Sequence, residues 1–191
     1  MSLIPFGFWA ASGAGGAAGA FDLLETTTLT SSASSVTFSG LGAYTDYKHL
    51  QVRWITRTNN ASGFDIMAMR VNNDTGTNYT YHVLNGDGSS VTSYGDVSQD
   101  KAQLLSRMAA ASTPTNIFSS GITDVLDYSS SKNTTIRTLS GATNVADASQ
   151  RRINLMSNLW TNTAAVTSLS FISWYGASFI AGSRFSLIGI K

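Results

Sequence analysis

Apolar and polar residues alternate along much of this chain, with the period of two that marks a strand buried on one face. The stretch 49–58 shows it most clearly: Leu50, Val52 and Trp54 fall on one face, Gln51 and Arg53 on the other. Residues 64–71 set Met67, Met69 and Val71 together, and Tyr79, Tyr81 and Val83 alternate soon after. Further strands are predicted over 21–29, 36–38, 116–118, 122–128, 134–140, 153–160, 166–173 and 185–190. Clusters of Ser, Asn, Asp and Gly at 31–35, 59–63, 72–76, 85–88 and 129–133 read as turns, and 40–48 and 144–149 as loops. Turn signals roughly 8 to 12 residues apart indicate an all-β fold, two antiparallel sheets packed as a β-sandwich. The connection lengths suit a jelly-roll-like topology, although the pattern alone does not separate it from another Greek key. Leu50, Val52, Trp54, Leu155, Leu159, Leu169 and Phe171 are the expected core.

One segment breaks the alternation. In 96–111, Leu104, Leu105 and Met108 have i, i+1, i+4 spacing and Ser98 stands where a helix cap would, so a short helix or ordered loop is predicted, ended by Pro114. The first twenty residues differ again. Leu3, Ile4, Phe6, Phe8 and Trp9 form an apolar cluster, followed by a Gly/Ala spacer. This divides the chain into an extended attachment arm (1–20) and a sandwich domain (21–191). The arm does not read as a signal peptide, because no Lys or Arg precedes Lys48 and Pro5, Gly7 and Ser12 interrupt the apolar run. No transmembrane helix is expected.

Composition narrows the function classes. Charged residues make up 12% of the chain and the net charge is +1, against a usual charged share of roughly 25%. Nothing in that balance calls for nucleic acid or an anionic membrane as partner. There is no cysteine, and the two histidines, His49 and His82, sit in no catalytic motif. No enzyme activity, no zinc site and no cofactor are expected. Gly13, Gly15 and Gly19 do not make a dinucleotide fingerprint, since no strand precedes them. Asp124 and Asp127 are three apart on one predicted strand and face opposite sides, so they are no carboxylate dyad. The clusters around Asp74 and Asp87 have the oxygens calcium needs, but also those a turn uses for itself. Arg151-Arg152 is too short for a nucleic-acid stripe. Tyr44, Tyr47, Tyr94 and Tyr175, in or near loops, remain as candidate contacts for sugars or proteins.

Several segments carry a resemblance: Arg57-Thr58-Asn59, the run from Asn72 to Tyr79, the run from Leu159 to Leu169, and the closing Leu187-Ile188-Gly189-Ile190-Lys191. Over residues 21–191 the chain resembles small virion proteins of tailed bacteriophages. The resemblance implies a jelly-roll-like domain displayed on the particle, as in capsid decoration proteins, head fibres and tail-fibre tips, commonly trimeric, with no catalytic residues to carry over. The expected function is therefore structural. A homotrimer, assembled in the host cytoplasm, would be held to a capsid or tail and fibre protein through Leu3, Ile4, Phe6, Phe8 and Trp9. The alternative is a tail-fibre or tailspike tip adhesin that binds a host surface glycan or receptor.

Overall fold

The structure, a computed structural model, describes residues 19–143 and 151–191. The attachment arm, and with it the 1–20 boundary, lies outside the described residues apart from its last two, as does the 144–149 loop. Twelve strands are present among the described residues. The first six are β1 (Phe21–Thr28), β2 (Ser35–Ser39), β3 (His49–Thr56), β4 (Phe64–Val71), β5 (Tyr79–Gly86) and β6 (Val91–Gln99). Then come β7 (Ala102–Ala109), β8 (Ser119–Val125), β9 (Thr134–Ala142), β10 (Arg152–Trp160), β11 (Ser168–Ser173) and β12 (Arg184–Ile190). They form an eight-stranded sheet in the order β1-β12-β3-β8-β9-β10-β5-β6 and a four-stranded sheet in the order β2-β11-β4-β7. Every pairing is antiparallel and the two sheets pack face to face, the β-sandwich that the alternation predicted.

The pairing is nested. β1 pairs with β12, β2 with β11, β3 with β8 and β4 with β7. A long hairpin rolled up on itself makes these pairs, and the resulting orders β1-β12-β3-β8 and β2-β11-β4-β7 are those of an eight-stranded jelly roll with its two Greek keys. Two hairpins, β5–β6 and β9–β10, are inserted into the roll; they pair with each other and widen one sheet.

The core lies between the sheets. Phe38, Phe171, Phe179 and Phe185 are fully buried, with ring centroids 5.2 to 6.2 Å apart. Burying each such ring contributes roughly 1.5–3 kcal/mol. Trp54 is buried flat against β8, where a Cβ on Gly121 would come within 2.3 Å of its ring. Three of the turn segments singled out in the sequence, 57–59, 72–79 and 159–169, are clasps. Arg57 donates to the carbonyls of Ala111, Thr113, Pro114 and Ile117, Thr58 to buried Asp65 (2.8 Å), and Asn59 Oδ1 accepts from Ser178 N–H. Asn72 and Asn73 take the left-handed conformation, which asparagine tolerates. Asn72 accepts from the N–H groups of Thr167 and Ser168, while Asp74 accepts from Trp160 Nε1 at 2.7 Å. The run 72–79 and the run 159–169 therefore meet at one end of the sandwich.

Several expectations need correction. Residues 96–111 are not helical: they are the end of β6, a turn and all of β7. β7 is covered by the eight-stranded sheet as well as by β4, and irregular register against β4 lets adjacent Leu104 and Leu105 both be buried. Apolar residues at both parities, Leu104 and Met108 on one and Leu105 and Ala109 on the other, suit a strand covered on both faces. Residues 116–118 are not a strand: Asn116, at φ 68°, ends a turn, 117–118 are irregular, and β8 starts at Ser119. β6 carries no strong apolar alternation and was not anticipated. Leu155 is 55% exposed rather than buried, and Leu159 is partly exposed. On β10 it is Asn154, Met156, Asn158 and Trp160 that point inward.

The inward asparagine has a reason. β7 ends the smaller sheet, so its outer backbone edge needs partners inside the protein. Asn158 accepts from Gln103 N–H and donates to Gln103 C=O, both at 3.0 Å. Ser140 donates to Leu104 C=O, and Ser119 Oγ accepts from Ala109 N–H. Side chains of the larger sheet thus replace a missing strand and close one side of the sandwich. Among the described residues no helix is long and apolar enough to cross a membrane.

Candidate interaction surface

The inserted hairpins leave the larger sheet wider than the smaller one, and among the described residues no layer covers its outer face. Strand register sorts this face into three rows. Gln51, Asp124, Arg137, Ser157 and His82 form a polar row across β3, β8, β9, β10 and β5. Next to it, Ile122, Leu139, Leu155 and Leu84 stand directly opposite one another on four neighbouring strands. They are 38%, 53%, 55% and 49% exposed. The third row runs Ile55, Ser120, Gly141, Ile153.

Relief follows from side-chain size. The second row is a ridge of branched apolar side chains. The third has isoleucines at its ends and the smallest side chains, Ser120 and Gly141, between them. A concavity of about 620 Å³ opens there, walled by Ile55, Ile122, Leu139 and Ile153 with Arg53 and Arg184 at its rim. On the other side of the ridge a second hollow, about 500 Å³, is bounded by Leu84, Leu155, His82 and Arg137. Scattered exposed apolar residues are ordinary on a protein surface, but an aligned and contiguous set marks a contact surface.

Most of the remaining candidates have local structural partners. His49 Nδ1 accepts the Asp127 backbone N–H at 2.9 Å and lies 3.5 Å from its carboxylate. His82 points outward, as its place in the alternation indicated. Asp124 accepts from Gln51 Nε2 in the polar row, whereas Asp127 sits in a turn, so the structure does not bring them together as a pair. Asp87 binds the N–H groups of Ser89 and Ser90. Burial pushes the Asp74 carboxyl up, but hydrogen bonds from Asn78, Trp160 and Gly76 outweigh it and hold the group below the usual aspartate value. These oxygens serve their turns. Tyr47 donates to Asp22, which Lys191 and this tyrosine hold below the ordinary value. Tyr44 packs against the core, and Tyr94 Oη accepts from Gln103 Nε2.

Tyr94 lies within β6 rather than in a loop, and Tyr175, the most exposed of the four tyrosines, borders a hollow, about 580 Å³, with Asn59, Asn60, Ser62 and Phe64. That hollow is rigidly framed: Ser173 Oγ donates to buried Asp65 and accepts from the N–H groups of Tyr175 and Ala177. The five arm residues singled out in the sequence lie outside the described residues.

The apolar ridge was missed because Leu155 and Leu159 were assigned to the core. The signal was present: residues 153–160 carry large apolar side chains at both parities, which marks a strand contacted on both faces. No family model matches this chain, and no curated protein matches it.

Proposed function

We propose that this protein is a structural component of a tailed-phage particle, displayed on the particle surface as a homotrimer and anchored through its N-terminal arm. The observation that carries the reading is the apolar face left uncovered among the described residues, on a jelly roll of low charge, a surface suited to protein contacts. Chain direction supports the anchoring. β1 enters the sandwich at the end where Lys191 also lies, with Lys191 Nζ 3.1 Å from the Asp22 carboxylate. The Tyr175 loop belongs to the opposite end, beside the β3–β4 and β7–β8 connections. An arm leaving one end would leave the other facing outward. Deleting residues 1–18 tests this: the truncated protein keeps its melting temperature and is absent from purified particles. A truncated protein that joins particles at the normal copy number refutes the anchor.

The second reading, a tip adhesin for a host glycan, is favoured by the exposed Tyr175 ring over its framed hollow, since an aromatic face beside amide groups suits a sugar. Binding of the purified protein to host surface polysaccharide, lost in Tyr175→Ala, would select it over the purely structural role.

A further inference from the structure

We infer that the outer face of the eight-stranded sheet is where copies of this chain meet, the Leu139–Leu155 ridge of one copy seating in the Ser120–Gly141 groove of the next. This deepens the proposed function and rests on its reading of the domain as a self-assembling module.

Shape is the first argument. Ridge and groove are adjacent rows of one face, each four strands long, running in the same direction and sharing β8, β9 and β10. A ridge that lies beside a groove of matching length is complementary to another copy of itself. The step between the rows is built into the sequence, because branched side chains at Ile122, Leu139 and Leu155 stand next to Ser120 and Gly141. Gly141 has no neighbour beyond backbone above its Cβ position, so the floor is open.

Area is the second. The exposed parts of Ile55, Leu84, Ile122, Leu139, Ile153 and Leu155 amount to roughly 500 Å², near the top of what monomers leave uncovered and most of the ~800 Å² per partner in a stable interface.

Charge is the third. The two apolar rows carry no ionisable residue between Ile55 and Ile153 or between Ile122 and Leu84; Arg53, Arg184, Arg137 and Asp124 stand around them. An apolar centre with a charged rim is the anatomy of a protein interface, and arginine is favoured there over lysine.

The test uses the full chain. Sedimentation of the wild type should show a concentration-dependent oligomer in the micromolar range. Leu155→Glu puts a carboxylate on the ridge and should weaken self-association by about a hundredfold. Tyr175→Glu, on an exposed loop off this face, should leave it unchanged. Because the natural chain has no cysteine, Ser120→Cys reports on the groove directly. Its maleimide labelling should slow about tenfold on going from dilute to concentrated protein, while a Ser62→Cys control labels at one rate throughout. That readout holds even if Leu155→Glu fails to fold. A wild type that stays monomeric, or a Ser120→Cys labelling rate independent of concentration, overturns the inference. So does protection of Ser120→Cys that persists at dilution and vanishes when residues 1–18 are deleted, because the arm is then the occupant. The virion reading fails separately, by absence of the protein from purified particles, whatever the sedimentation shows.

Discussion

Asn158 offers a sharp test of how the sandwich is closed. Its side chain is 2% exposed overall and makes both hydrogen bonds to Gln103, at 3.0 Å each, that a further strand would otherwise make to β7. Replacing it with leucine keeps the branched shape and the number of side-chain heavy atoms and removes both bonds. The loss is then the cost of leaving one backbone N–H and one C=O buried without partners, about 1–3 kcal/mol each, or about 2–6 kcal/mol together. That is a large share of a typical stability of about 5–15 kcal/mol. For a domain of this size about 1 kcal/mol lowers Tm by roughly 2–4 °C, so a drop on the order of 10 °C is expected. Urea unfolding followed by tryptophan fluorescence gives the free energy, with Trp160 two residues away as a reporter. Leu159→Ala, on the outer side of the same strand, should cost under about 1 kcal/mol. An Asn158→Leu protein within about 0.5 kcal/mol of the wild type would refute the edge-closure argument.

Three further outcomes follow from buried polar groups and close packing. Arg57→Lys should lower stability by about 2–4 kcal/mol in urea titrations, since a single ammonium cannot serve four carbonyls that the guanidinium fork reaches together. The Asp74 carboxyl is held below its ordinary value, so its stabilisation is complete above the unfolded aspartate pKa of about 3.9 and fades as pH falls through the folded value. Melting temperature should therefore hold steady from neutral pH towards about 5 and fall below about 4, with a shallower acid limb in Asp74→Asn. Gly121→Ala would drive a methyl into the Trp54 ring and should cost about 1–3 kcal/mol, read from thermal unfolding; an unchanged Tm would mean that Trp54 repacks freely.

Much of the architecture is legible in the chain itself. Alternation such as Leu50, Val52, Trp54 can only be a strand with one dry face, because a period of two has no other use for its apolar side. Turn residues at 59–63 and 72–76 limit the strand lengths, and Asn72 and Asn73 suit the left-handed backbone the second of these turns requires. Sheet membership was not legible, because it depends on pairings between residues far apart, such as Phe21 with Ile190, that no local pattern encodes. The spacing in 96–111 read as a short helix or ordered loop, and it was the irregular β4–β7 register and the cover from β9 and β10 that made it a strand. Leu155 is the most instructive case. The sequence determined that β10 has apolar residues on both faces. Only the tertiary structure decided which face the smaller sheet would cover, because the inner position opposite β7 had to hold an asparagine that could bond Gln103, and that register turned Leu139 and Leu155 outward.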